Sequence, residues 1–233
     1  MAGIPLPPGA INLGPPVVPR PSATVVLVRG TQPWELLLMR RPGGADFAPG
    51  AYVFPGGTVH GDDSSWPDEI RGAAVRELFE EVGLLLARRG GRFVRDREGA
   101  EIHSLIRQGV TFSDALRRSG LEPAFDRLVF FARWITPAQL SRRYDARFFF
   151  ARLPAGQTVK PQEGEVVDWR WITPQRALQD PDVPLVYATR AVLESVATGE
   201  SATQLMARAR RLREVPIVEP RMVETASGWE VVR

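Results

Sequence analysis

The stretch Arg71-Gly-Ala-Ala-Val-Arg-Glu-Leu-Phe-Glu-Glu-Val-Gly83, preceded by Val53-Phe54-Pro55-Gly56-Gly57, decides how the rest of the chain is read. At about 100° per residue, Val75, Leu78, Phe79, Val82 and Leu86 fall on one stripe, with the i, i+3, i+4, i+7 spacing of a core-facing helix. The same geometry groups Glu77, Glu80 and Glu81 on the opposite face, so three carboxylates crowd one patch. Basic side chains or a bound cation must offset their repulsion. Arg76, four residues before Glu80, can supply a surface ion pair of about 0.2–0.5 kcal/mol. Oxygen-rich clusters suit hard divalent ions such as Mg2+, which keep several waters and also bind substrate phosphates. A solvated Arg/Glu helix face is the plain alternative.

Gly57, an acidic segment and then Arg76-Glu77-Leu78-Phe79-Glu80-Glu81-Val82-Gly83-Leu84 together resemble the signature of the Nudix hydrolases. Its second half, Arg-Glu, an aliphatic residue, any residue, Glu-Glu, any residue, Gly and an aliphatic residue, is matched at every fixed position. The first half departs. The family usually has Gly, five residues, Glu, seven residues and then the Arg. Counting back from Arg76 puts Asp68 at the Glu and Asp62 at the Gly, while Gly57 lies five residues further upstream. The loop therefore carries an insertion from His60 to about Pro67, and Asp68 and Glu69 compete for the place of the Glu.

The resemblance covers roughly Ser22 to Leu178. It implies an α/β fold, a Nudix α/β/α sandwich around a central mixed β-sheet, with Mg2+ or Mn2+ as cofactor. It implies hydrolysis of a small-molecule substrate, a nucleoside diphosphate linked to another group. Glu77, Glu80 and Glu81 would hold the metal, and Arg41, Gly56, Gly57 and Arg76 would meet the substrate. In many family members a Glu about six residues before the Trp of a late strand adds a carboxylate; that register selects Glu165 before Trp171, with Glu163 before Trp169 as second choice. Glu77 and Glu165 are both candidates for the general base. A non-catalytic nucleotide-binding module is the rival reading, but such a module should lack metal carboxylates, and none is missing.

The substrate reading rests on a second resemblance. CoA-hydrolysing members carry Leu-Leu-Thr, any residue, Arg-Ser, three residues, Arg, three residues, Gly, three residues and Phe-Pro-Gly-Gly before the box. This chain keeps Leu37, Leu38, Arg41, Gly50 and Phe54 to Gly57, but has Met39, Pro42 and Asp46 in place of Thr, Ser and the second Arg. The insertion and the long polar segment after the box also resemble the branch containing peroxisomal CoA diphosphatases, although the sequence ends Val231-Val232-Arg233 without a peroxisomal address. CoA or acyl-CoA is expected ahead of ADP-ribose.

Composition narrows the class. With 233 residues and 44% hydrophobic content the chain can bury a full core, and one elaborated domain, residues 22–233, is expected. Formal charge is +3, yet the pI is about 9.9. Lys160 is the only Lys among 30 basic residues and Cys is absent, so little titrates below the Arg range. Nucleic-acid binding is therefore not expected. No apolar run approaches the roughly 18 residues of a membrane span, so a cytoplasmic protein is expected.

Residues 1–21, with Pro5, Pro7, Pro8, Pro15, Pro16, Pro19 and Pro21, read as an extended arm packed on the domain or on a second subunit of a homodimer. Ser22 to Arg29 and Trp34 to Arg40 read as a hairpin. Ser65-Trp66-Pro67-Asp68 has the form of a capping box, starting a helix near Trp66 or Pro67 that Gly83 ends. An insert of about 88–126 holds helical patterns near Glu101 to Gln108 and Ser113 to Ser119 and is expected near the substrate; its His103 reads as an ordinary surface or core residue. Strands are expected at Leu128 to Ile135, Arg147 to Leu153 and Val166 to Ile172, the last with Trp169 and Trp171 in the core. Two closing helices within about 184–213 and a strand in Val215 to Val232 complete the reading. Arg208 to Arg213 reads as a solvated helix end.

Overall fold

The computed structural model describes residues 9–45, 47–225 and 228–232, so Pro5, Pro7, Pro8 and Asp46 lie outside the described residues. The apolar run after Ser22 lies in β1 (Arg20–Gly30), which turns into β2 (Trp34–Arg40) as an antiparallel hairpin pairing Val28 with Leu36 and Gly30 with Trp34. Alternation along β1 sends Val25 and Leu27 to one face and Val26 and Val28 to the other, and all four are buried. Both faces of this strand are therefore covered.

Two short strands, β3 (Tyr52–Val53) on β2 and β4 (Gly56–Thr58) on β1, take in the two ends of the glycine loop, residues 53–57, and lead to helix α1 (Glu69–Val82). The insert follows as β5 (Ala87–Arg89), β6 (Arg92–Phe93), α2 (Asp96–Arg107), α3 (Phe112–Arg118) and β7 (Glu122–Pro123), its strands making a small sheet in the order β6-β5-β7. The chain returns to the main sheet through β8 (Val129–Ile135), β9 (Tyr144–Arg152) and β10 (Asp168–Ile172). It ends with α4 (Pro174–Gln179), α5 (Tyr187–Val196), α6 (Ala202–Arg210), β11 (Ile217–Val218) and the hairpin of β12 (Arg221–Thr225) and β13 (Gly228–Val232).

The main sheet runs β10-β2-β1-β9-β8-β11 and is mixed, because β9 lies parallel to β1 and β11 parallel to β8 while the other pairs are antiparallel. Leu78, Phe79 and Val82 of α1, with Ile102 and Leu116 of the insert, close one face; Val192 and Leu193 of α5, with Leu205 of α6, close the other. This is an α/β sandwich.

Four expectations are corrected. Helix α1 begins later than Ser65 suggests: residues 61–65 form a 3-10 turn, and Asp68 is the N-cap, its Oδ1 accepting from the Arg71 N–H at 3.0 Å. Leu86 is buried but lies beyond the helix, because Gly83 takes the left-handed conformation at φ 70° and stops it. Trp171 packs on the core beneath the Arg29 guanidinium, whereas Trp169, on the same face of an edge strand, is 37% exposed. The tail forms β11 and a separate hairpin rather than one strand, and α4 was not foreseen.

Residues 9–18 of the arm lie against a loop of their own chain. Asn12 N–H donates to Gln139 O, Ser141 N–H to Ala10 O, and Arg143 donates to Val17 O while pairing with Glu219 of the tail at 2.6 Å. No helix among the described residues is long and apolar enough to cross a membrane.

Candidate active site

The carboxylates of α1 sit under the glycine loop. Glu77 and Glu81 are 9% and 4% exposed. The backbone N–H of Gly56 donates to Glu81 Oε2 at 2.7 Å, and a Cβ built on Gly57 would lie 2.4 Å from the Glu77 carboxyl carbon. A Cβ on Gly56 would stand 2.3 Å from the Ala23 carbonyl oxygen. Glycine is needed at both positions because β1, the loop and two acidic side chains meet without room for a methyl group. The backbone N–H of Gly56, a residue expected at the substrate, is taken by Glu81.

Arg76, expected at the substrate, is 3% exposed, and its five N–H donors meet five acceptors. Nε and Nη2 grip Asp63 at 3.0 and 2.9 Å, Nη1 reaches Glu77 and Glu80 at 2.8 Å each, and Nη2 also donates to Thr58 O at 2.9 Å. Burial opposes its charge, but the Asp63 hydrogen bonds and the charges of Glu77 and Glu80 outweigh that and hold its pKa above the ordinary range. Glu80 is partly exposed and turned to Arg76.

Burial pushes the Glu81 carboxyl well above the usual carboxylate range; Glu77 and Glu165 add to this, while the Gly56 N–H and Arg41 oppose it. Glu77 is also raised, chiefly by burial, with Arg76 opposing and Glu80 adding. Among the described residues no three His, Cys, Asp or Glu side chains converge closely enough to hold a metal as they stand. The donor set nevertheless fits a hard divalent cation, since Glu77 and Glu81 are buried oxygen donors whose ionisation is resisted by desolvation and, at Glu81, by the neighbouring Glu77. Arg41 sits at the edge, its Nη1 3.9 Å from Glu81 Oε1 and its Nε donating to Phe47 O.

One loop brings Glu165 here. Lys160 N–H donates to Val82 O and Gln162 N–H to Glu81 O, both at 2.9 Å, so the loop satisfies the last carbonyls of α1. Upstream, the buried Gln157 side chain accepts from Leu85 N–H at 2.7 Å and donates to Leu85 O and Val94 O at 2.8 and 2.9 Å. Glu163 and Glu165 are both exposed, and Glu165 is near enough to raise the Glu81 pKa. His103 stacks on Phe79 at 4.1 Å. Sequence reading missed Asp63 and Gln157, whose partners lie 13 and 72 residues away, beyond any local pattern.

Comparison with known proteins shows the family. The family profile described as NUDIX domain matches residues 18–190. A Caenorhabditis elegans protein whose name places it among the nudix hydrolases is 29% identical over 161 residues, covering 69% of this chain and 54% of that protein. The acyl-coenzyme A diphosphatase NUDT19 of Xenopus laevis is 26% identical over 210 residues, covering 64% of this chain and 55% of its own length. The chain thus spans about half the length of these curated relatives. The crystal structure of a NUDIX hydrolase from Alicyclobacillus acidocaldarius superposes with a TM-score of 0.68 at 27% identity, covering 82% of this chain and 96% of that one.

Proposed function

The chain belongs to the NUDIX domain family, and from that premise we propose that it is a divalent-cation-dependent hydrolase of a phosphoanhydride within a nucleoside diphosphate linked to another group. The observation that carries this reading is the buried Glu77 and Glu81 pair beneath the glycine loop, with Arg41 at its edge. Glu77, Glu80 and Glu81 would hold Mg2+ or Mn2+, Glu80 by turning from Arg76; when bound, the ion neutralises charge on the diphosphate and activates water.

The chain's own residues do the rest. Arg41 offers a guanidinium to a phosphate oxygen. Its Nε is already tied to Phe47 O, so the side chain is held at the mouth of the site. Glu165 is the general base: it is exposed, whereas Glu77 Oε1 is held by Arg76. It takes a proton as the water oxygen bonds to phosphorus and the anhydride P–O bond breaks, releasing two phosphate-bearing products.

For the substrate we favour CoA or an acyl-CoA. Support comes from Leu37, Leu38, Arg41, Gly50 and Phe54 to Gly57 of the CoA pattern, and from two relatives named acyl-coenzyme A diphosphatases, in Xenopus laevis and Gallus gallus, each 26% identical. The test is a panel of CoA, acetyl-CoA, ADP-ribose, NADH and diadenosine polyphosphates with Mg2+ or Mn2+, products identified by mass. The CoA reading expects 3′,5′-ADP and a 4′-phosphopantetheine product. A kcat/KM for ADP-ribose about tenfold or more above that for CoA and acetyl-CoA would overturn it.

A further inference from the structure

The insertion between Gly57 and α1 carries two adjacent acids that point in different directions. Asp63 is 0% exposed, and its carboxylate is filled by Arg76 Nε, Arg76 Nη2 and the His60 N–H, at 3.0, 2.9 and 2.8 Å. Asp62 faces the insert, where it accepts from the backbone N–H of Ser113 at 3.2 Å and from the Ser113 hydroxyl. Ser113 is itself buried at the start of α3. Just beyond, Trp66 lies against Gly72 of α1 and packs edge-on to Phe125 at the end of the insert. By contrast Asp68, which counts into the family register, caps α1 and pairs with partly exposed Arg71, with no bond to Arg76.

We propose that this insertion is a two-pronged bracket in which Asp63 is a positioning residue, fixing Arg76 and through it Glu77, while Asp62 ties the bracket to the insert. The inference rests on the hydrolase reading of the site and adds a cause to its geometry. Arg76 places all five donors on acceptors, so wherever Asp63 sits, the Glu77 carboxylate bonded to Nη1 follows. Because Asp62 is the next residue, docking of α3 limits where Asp63 can sit. The insert thereby tunes turnover through a contact with the inserted turn rather than with the reacting atoms.

The test compares Asp63→Asn, Asp62→Asn and Ser113→Ala with Asp68→Ala as control. Two readouts are taken: kcat and KM on the best substrate of the wild type, and solvent exchange of the Arg76 Nε–H by nitrogen-15 NMR on metal-free protein. Asp63→Asn is expected to lower kcat roughly 100-fold, the scale of a 1 Å misplacement, with little change in KM. Ser113→Ala and Asp62→Asn are expected to lower kcat severalfold and speed Nε–H exchange at unchanged melting temperature. Asp68→Ala is expected to lower the melting temperature alone. If Asp63→Asn does not fold, the Ser113→Ala and Asp62→Asn arms decide. Wild-type kcat and wild-type exchange in those two variants would overturn the proposal. Should the wild type cleave no phosphoanhydride, the hydrolase reading falls, and the exchange measurement still decides the bracket.

Discussion

Gly56 donates its backbone N–H to Glu81 Oε2 at 2.7 Å, so the glycine loop and the acidic helix hold each other through a bond made to a buried carboxylate. One hydrogen bond offsets only part of what burial and the neighbouring acids cost that carboxylate when it ionises. The site therefore stores an electrostatic penalty that binding of a cation would relieve.

Glu81→Gln is expected to stabilise the metal-free protein at neutral pH while turnover falls by orders of magnitude. The sign follows from linkage. A carboxyl whose folded pKa is raised favours folding only while protonated, so its stabilising effect is full below about pH 4.3 and is lost as pH rises through the folded value. In EDTA, wild-type and variant melting temperatures should converge at low pH and separate, variant higher, above it. A less stable Gln variant at neutral pH contradicts the assignment.

Mn2+ or Mg2+ should raise the wild-type melting temperature, by the equivalent of about 2.7 kcal/mol at a hundred times Kd. The Glu77→Gln, Glu81→Gln double variant should show almost none of this rise. Equal shifts in both proteins would place the cation elsewhere.

Substitutions at the two glycines should separate stability from activity. In Gly57→Ala the new methyl meets the end of a side chain, so Glu77 swings aside; about 1–3 kcal/mol of stability goes, and turnover drops roughly 100-fold. In Gly56→Ala the methyl meets the backbone at Ala23 and Thr24, which cannot swing aside, and the loss of stability is the larger. Calorimetry with kcat measured on both proteins checks the order.

Gln157→Ala should destabilise without touching the chemistry directly. It leaves the Leu85 N–H and the Leu85 and Val94 carbonyls without their side-chain partner, which predicts a fall of roughly 5–15 °C in Tm for a domain of this size. A melt within a degree or so of wild type would show that water replaces the amide.

What could be read in advance was whatever repeats over short distances. The α1 stripe, the β1–β2 hairpin and the Gly83 stop follow from spacing and from residues with narrow backbone preferences. The helix start was misjudged because Ser65 and Asp68 are equally good caps, and only the 3-10 turn at 61–65 selects between them. Trp169 was placed inside because alternation gives the face of a strand but not whether anything covers it. The partner of Arg76 was out of reach for a different reason. Three acids within five residues of it satisfy a helix-surface argument, whereas the strongest grip comes from Asp63 on an irregular turn that no periodicity describes.

The Arg143 guanidinium donates to Val17 near one end of the chain and pairs with Glu219 near the other, so a single side chain works as a clasp between them. Seen as a loop of string, the fold is already tied. Removing the clasp with Arg143→Ala should therefore loosen residues 9–18 and the segment around Glu219 together, seen as a joint rise in proteolysis at both.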